Sequence, residues 1–228
     1  MGYTEIIQSN SSYATMNQDV TLALFDRLAA LEQAALTDSF AKRHKVIAET
    51  NDIMLATASE CRRRNWKIHT AIWNPCLFLN TVAFDLSYLA YELAYEEDQW
   101  KRGLTARHLA TLLFEIAEDL PQVFGKDFNK ALDALAVGSD LRDSFRSQLK
   151  SVSKFWANHR EELKQIRTVC GAHRDHDAIL LLQTIDQIDL FKILQLGISL
   201  DATLNKVGPA AQAIIAYTST VQPPELTK

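Results

Sequence analysis

The sequence predicts an all-α protein, and three of its features support this fold class. Only 7 Gly and 5 Pro occur among 228 residues, which leaves few turn positions for a sheet protein. Apolar residues make up 47% of the chain, enough for a full core. These residues recur at spacings of three and four over long stretches, as on the buried face of an amphipathic helix. We therefore expect a bundle of long helices.

The composition along the chain predicts one helical domain with two short flanking segments. Residues 1–16 are polar and rich in Ser and Asn, and form a loose lead-in. Residues 17–217 carry the helical pattern and make up the single domain. Residues 218–228, with Pro223 and Pro224, form a tail that is expected to be disordered.

The first half of the chain predicts three helices. The first starts near Asn17, and the second starts near Thr37 and ends in the basic run 62–64, where cations favour a helix C-terminus. The third covers the aromatic segment 67–97 and is expected to be the most buried. Because proline lacks an N–H and clashes with the preceding turn, Pro75 is expected to end or kink this helix after Trp73.

The second half predicts further helices with several breaks. A short helix opens at Thr105 and stops at Pro121, and a second short pattern through 128–135 ends at Gly138. A helix capped by Ser139 or Asp140 would span about 46 Å if it ran unbroken to residue 170, so we expect a break near residues 158–159. Asp175 or Asp177 caps the following segment. Asp189 begins the last helix, which Gly208 and Pro209 interrupt.

Charge and cysteine content limit the classes of function. A net charge of −4 excludes a broadly cationic nucleic-acid-binding surface, so any RNA contact would be local. Three cysteines without a C-x-x-C spacing indicate reduced, packed thiols in a cytoplasmic protein. The N-terminus lacks a secretory pattern, and no run of about 18 apolar residues suggests a membrane span. No membrane contact is expected.

The densest cluster of ionisable residues lies in the stretch LKQIRTVCGAHRDHD, residues 163–177. An amphipathic helix enters it, and Gly171 weakens helix formation by about 1 kcal/mol relative to alanine. Arg167 and His173 would lie about 120° apart around a regular helix. They can therefore act together only if the chain bends near Gly171 or a second copy of the chain completes the site.

Spacing alone does not single out this arginine and histidine. An Arg followed by His after four to six residues also occurs in Arg62–Arg64 with His69, and in Arg102 with His108. The context of Arg167 and His173 is different. A helix leads in, a small Gly-Ala pair precedes the histidine, and four ionisable residues follow it directly.

The run IRTVCGAHRDHD resembles the Arg-polar-x(4-6)-His signature of the HEPN superfamily, most closely its abortive-infection, AbiU-type branch. The resemblance covers about residues 160–190. It implies an up-and-down helical bundle that forms a homodimer with the two signatures facing each other in a metal-independent endoribonuclease cleft, as in toxins and phage-defence proteins. Arg167 and His173 occupy the signature positions, and Thr168 stands where the family most often has Asn, Asp or His.

The chemistry of RNA cleavage explains why these residue types matter. Histidine titrates in the range needed to move a proton, and arginine can hold two phosphate oxygens while staying charged. We therefore expect His173 to transfer protons and Arg167 to bind phosphate, with Arg174, His176 and Thr168 contacting the substrate. The partners implied are RNA, a second copy of the chain and a cognate antitoxin.

Several alternatives remain at the level of the sequence. A purely structural role would pair Arg167 with Glu162 or Asp175. A non-catalytic HEPN-like module could bind nucleotide, RNA or a protein through the same cleft, and Thr168 favours this alternative.

No cofactor or metal is expected, because no histidine has the Glu-x-x-His spacing of di-metal bundles. Cys170 lies on the apolar stripe and is expected to be packed, and residues 62–66 favour a solvated helix end over an RNA contact.

Overall fold

The structure, a computed structural model, describes residues 37–170 and 177–221, and this part of the chain is helical throughout apart from short connections. Its helices are α1 (37–63), α2 (Lys67–Tyr95), α3 (Gln99–Val123), α4 (Lys126–Ala134), α5 (Ser139–Cys170), α6 (Ala178–Asp186) and α7 (Leu190–Ser219). No strand occurs among the described residues. The predicted all-α fold class is therefore confirmed for this part of the chain.

Four long helices, α2, α3, α5 and α7, form the central bundle. Both α2 and α5 pack against α3 and α7, so that successive long helices are neighbours around the bundle. Each of the four contributes a leucine with no exposed surface: Leu86, Leu109, Leu163 and Leu200. Burying such a side chain stabilises a fold by about 1.5–3 kcal/mol, so this shared core holds the four helices together.

Helix α1 packs on the outer side of α2 through an aromatic seam. The rings of Phe40 and Tyr91 stack with centroids 3.8 Å apart, and His44 Nε2 lies 2.9 Å from Ser87 Oγ. Burial and the neighbouring Arg43 cation lower the pKa of His44. The aromatic segment of α2 is less buried than predicted, because Tyr88 is 47% exposed beside this seam.

A half-buried ion pair ties α1 to α7. Arg43 Nη1 and Nη2 donate to the two carboxylate oxygens of Asp201 at 2.7 and 2.5 Å. Such two-point contacts fix direction as well as distance, so they set the position of α1 across the bundle. The first predicted helix, from Asn17, and the lead-in 1–16 lie outside the described residues.

The predicted breaks inside α5 and α7 are wrong, and so is the predicted end of α2 at Pro75, for which a kink was the stated alternative. α2 continues through Pro75, α5 continues through residues 158–159, and α7 continues through Gly208 and Pro209. An interior proline costs about 3 kcal/mol, but buried neighbours on both sides oppose that cost. Ile72 and Leu79 flank Pro75, and Val207 and Ala211 flank Pro209, each with 4% exposure or less. Packing therefore outweighs the local preference.

The predicted start of α3 at Thr105 is also wrong. The helix begins at Gln99, because the Asp98 side chain accepts a hydrogen bond from the backbone N–H of Lys101 at 2.9 Å. Such a cap contributes about 1 kcal/mol. Pro121 does not stop the helix either, since it lies in the last turn before Val123.

Two predicted caps are confirmed at the C-terminal end of the chain. Asp177 accepts from the backbone N–H groups of Ile179 and Leu180, and Asp189 accepts from that of Lys192. α7 extends to Ser219, two residues beyond the predicted end of the domain. Residues 222–228 lie outside the described residues. Within the described ranges, no helix has both the length and the apolar character needed to cross a bilayer.

Candidate functional site at the end of α5

The last turns of α5 place Arg167 and Thr168 at the surface. Leu163, Ile166 and Val169 recur at spacings of three, and all three side chains are buried against the bundle. Since successive helical residues are 100° apart, the two residues between Ile166 and Val169 point away from the core. Thr168 is exposed and Arg167 is half-buried.

Side chains of α3 hold the Arg167 guanidinium. Its central carbon lies 5.0 Å from the centroid of the Phe114 ring, within the range of a cation–π contact. Its Nε lies 3.5 Å from Glu115 Oε1. This ion pair lacks the geometry of a hydrogen bond, and the buried Nε atom has no hydrogen-bond partner. Because Nε is buried, a ligand would reach the guanidinium through the 37% of the Arg167 side chain that is exposed.

The alternative pairing of Arg167 with Glu162 is wrong. Five residues apart on α5, the two side chains point about 140° away from each other. Glu162 instead pairs with Lys192 of α7 at 2.7 Å. The second predicted partner, Asp175, lies outside the described residues. The acidic neighbour of Arg167 therefore comes from α3, which the local sequence of α5 does not reveal.

Cys170 is a packed thiol, as predicted. Its side chain is 7% exposed, and burial raises the pKa of the thiol while the Arg107 cation on α3 opposes this shift. Burial raises the pKa of Cys61 as well, and that of Cys76 to about 12. All three cysteines are unpaired and buried. A thiolate nucleophile at Cys170 is therefore disfavoured at neutral pH.

The remaining predicted site residues lie outside the described part of the chain. His173, Arg174 and His176 lie in residues 171–176, outside the described residues, together with Gly171 and Asp175. The expected contact between Arg167 and His173 thus remains a prediction. Asp177, the first residue described after the gap, caps α6. The structure places Arg167 and its chain neighbour Thr168 in the last turn of α5, and Phe114 and Glu115 of α3 lie beside Arg167.

The second arginine–histidine pattern of the chain does not form a joint site. Arg102 is 3% exposed, and its Nε donates to the backbone carbonyl of Glu96. His108, six residues later, is exposed at the surface. One side chain is enclosed and the other is solvated, so the same spacing yields different environments here.

The basic run at the end of α1 is a solvated helix end, as predicted. Both Arg63 and Arg64 bind Glu60, and the Arg64 guanidinium carbon lies 4.9 Å from the Trp66 ring centroid. These two cations lower the pKa of Glu60 to about 2. The Glu60 carboxylate thus balances one of these two positive charges, which leaves less charge for an RNA phosphate.

Residues from α3 are the part of the site that sequence reasoning missed. Arg107 and Phe114 are seven positions apart, which places both on the side of α3 that meets the end of α5. Arg107 is only 7% exposed although it carries a charge. The sequence does carry a signal for this residue, because Arg107 falls at the helical spacing of the apolar positions of α3. Among the described residues, no group of three His, Cys, Asp or Glu side chains could hold a metal ion.

Comparison with known proteins gives no matching family model, no matching curated protein and no matching solved structure.

Proposed function

We propose that this protein is a metal-independent endoribonuclease of the HEPN type, acting as a cytoplasmic toxin or phage-defence protein. Arg167 binds a phosphate of the RNA, and His173 transfers protons. The site is completed by a second copy of the chain, and a cognate antitoxin restrains it. Arg174, His176 and Thr168 contact the substrate.

The observation that carries the proposal is the placement of Arg167. It stands in the last turn of a 32-residue helix, with its guanidinium held between Phe114 and Glu115 and 37% of its side chain exposed. A fixed guanidinium loses little conformational freedom when it binds a phosphate, so it suits a charge-stabilising role. His173 follows within six residues along the chain.

The reaction that these groups suit is an internal transfer at phosphorus. The ribose 2′-oxygen attacks the adjacent phosphorus while its proton passes to a base. The bond from phosphorus to the 5′-oxygen breaks, and that oxygen receives a proton from an acid. The products are a 2′,3′-cyclic phosphate and a 5′-hydroxyl. A histidine in each copy of the chain supplies the base and the acid, and arginine stabilises the charge that develops on the phosphoryl oxygens.

An apolar face on α6 supports the dimer. Ile179 is 70% exposed and Leu182 is 54% exposed, and both follow closely after residues 171–176. Exposed apolar side chains grouped on one element are typical of a protein–protein contact. A partner docked on α6 would therefore lie beside the end of α5, where the composite cleft requires it.

The test is RNA cleavage by the full chain in the presence of EDTA, comparing wild type with His173→Ala. We expect wild type to release products ending in a cyclic phosphate and His173→Ala to be at least 100-fold slower, since general acid–base catalysis contributes about 10²- to 10⁴-fold. His108→Ala is the matched control, because His108 also follows an arginine at the same spacing. Equal rates for wild type and His173→Ala would refute the assignment.

A non-catalytic binding module is the second candidate, and the Glu115 carboxylate favours it. This group lies 3.5 Å from Arg167 and partly neutralises the cation that a reacting phosphate needs. Thr168, in place of the family's usual Asn, Asp or His, also favours the binding module. RNA bound without any cleavage by wild type would support this candidate over the enzyme.

A further inference from the structure

Arg107 is a nearly enclosed cation on α3, beside the end of α5. The residue is 7% exposed, and its charge acts on the Cys170 thiol. Its Nε donates to the backbone carbonyl of Gly103 at 3.1 Å, and the guanidinium carbon lies 5.8 Å from the Trp100 ring centroid. The side chain is therefore largely covered by the bundle, while the Trp100 ring beside its guanidinium is 67% exposed.

Arg107 forms no ion pair with an acidic side chain of the described residues. Arginine carries five N–H donors, and the described contacts use only the one on Nε. The two Nη atoms are not among the buried atoms of this part of the chain that lack a hydrogen-bond partner, so they reach solvent. Four donors at the surface without an acidic partner are features of an anion site.

We propose that Arg107 is a second phosphate-binding residue, which holds a neighbouring phosphate of the RNA strand whose reacting phosphate lies at Arg167. This inference rests on the proposed function, because it assumes that the end of α5 receives RNA. It assigns a substrate contact to α3, outside the Arg167–His173 segment.

The geometry of α3 supports two separate phosphate contacts. Phe114, which carries the Arg167 guanidinium, lies two helical turns from Arg107, or about 10 Å along the helix. Both residues face α5, since seven residues correspond to nearly two full turns. One strand running along this line would meet the two guanidinium groups in succession, each at a different phosphate.

The test measures binding of a 2′-O-methyl oligoribonucleotide, which cannot be cleaved because its nucleophile is blocked. Wild type, Arg107→Met and Arg64→Met are compared over a series of salt concentrations. Arg64 is the matched control, because its guanidinium also contacts a tryptophan, Trp66, at 4.9 Å, at the end of α1. We expect Arg107→Met to bind about tenfold more weakly at low salt, and the slope of log Kd against log salt to fall by about 0.7. Arg64→Met should match wild type.

A conservative variant keeps the inference testable if Arg107→Met does not fold. If Arg107→Met unfolds, Arg107→Lys keeps the charge but loses the two-point contact, and we expect it to keep the salt slope while binding about threefold more weakly. An unchanged slope and affinity in a folded Arg107→Met would overturn the inference and would mean that the chain itself balances this charge.

Failure of the inference can be separated from failure of the proposed function. Wild type that neither binds nor cleaves RNA would refute both. Wild type that binds without cleaving would remove the enzyme assignment, while the salt slopes would still decide the role of Arg107. Cleavage by wild type with identical salt slopes in all three proteins would refute the inference alone.

Discussion

At the scale of single residues, Glu115 and an incoming phosphate compete for the Arg167 cation. Among the described residues, Phe114 attracts this cation through the face of its ring, and Glu115 attracts it through charge. Both members of the ion pair remain more than one-third exposed, so water screens the attraction. Exposed pairs contribute about 0.2–1 kcal/mol, which an incoming phosphate can exceed.

Removing the Glu115 charge should therefore strengthen RNA binding. We expect Glu115→Gln to bind the uncleavable oligoribonucleotide about two- to fivefold more tightly, because the energy of a screened ion pair no longer opposes the phosphate. Fluorescence anisotropy at fixed salt measures this change. Glu118→Gln is the control, since it removes the same charge from the same helix without contacting Arg167. Equal gains in both variants would point to net charge rather than to release of Arg167.

At the scale of elements, tertiary contacts decide where the helices end. Pro209 lies inside the 30-residue helix α7, where it removes one backbone hydrogen bond, yet the helix continues to Ser219. Val207 and Ala211 on either side are 0% and 2% exposed, so the buried face keeps the helix together. The proline ring itself is exposed, and it contributes little packing in return.

Replacing this proline should stabilise the protein. Pro209→Ala restores a backbone N–H inside α7 and removes the clash with the preceding turn, and greater freedom of the unfolded chain offsets part of the gain. We expect the free energy of unfolding to rise by about 1–2 kcal/mol, measured by urea denaturation. Gln212→Ala, also exposed on α7, should change it by less than about 0.5 kcal/mol. A less stable Pro209→Ala protein would show that the proline shapes α7 in a way that the bundle needs.

At the scale of the whole molecule, the described residues leave apolar surface beside the candidate site. The core side chains of the four-helix bundle are enclosed, whereas α6 packs on α5 and exposes the apolar side chains at 179 and 182. A short helix with one side on the bundle and apolar residues on the other suits a contact between two copies of the chain.

Polar substitutions on α6 should therefore separate the copies without unfolding either one. We expect Ile179→Ser combined with Leu182→Ser to raise the dimer Kd at least about tenfold, because each buried side chain contributes more than about 1 kcal/mol. Light scattering after size-exclusion chromatography would then give a mass near 25.7 kDa instead of twice that value. Ile198→Ser is the control, since Ile198 on α7 is 57% exposed but lies on another element. Wild type that is monomeric at all concentrations would refute the dimer.

The sequence by itself determined the fold class, the start of the last helix at Asp189 and the buried state of Cys170, and it named Asp177 as one of two candidate caps. These features follow from periodicity and from side chains that bind their own backbone, so neighbouring residues suffice to predict them.

Only the tertiary structure decided which helices run on and what surrounds the candidate site. The continuity of α2 through Pro75 depends on residues buried against other helices, and the contacts of Arg167 with Phe114 and Glu115 join positions about fifty residues apart. No local pattern carries that information, because burial free energy is gained only when distant segments meet. The chain's own periodicity sets which side of each helix turns inward, and packing sets what that side meets.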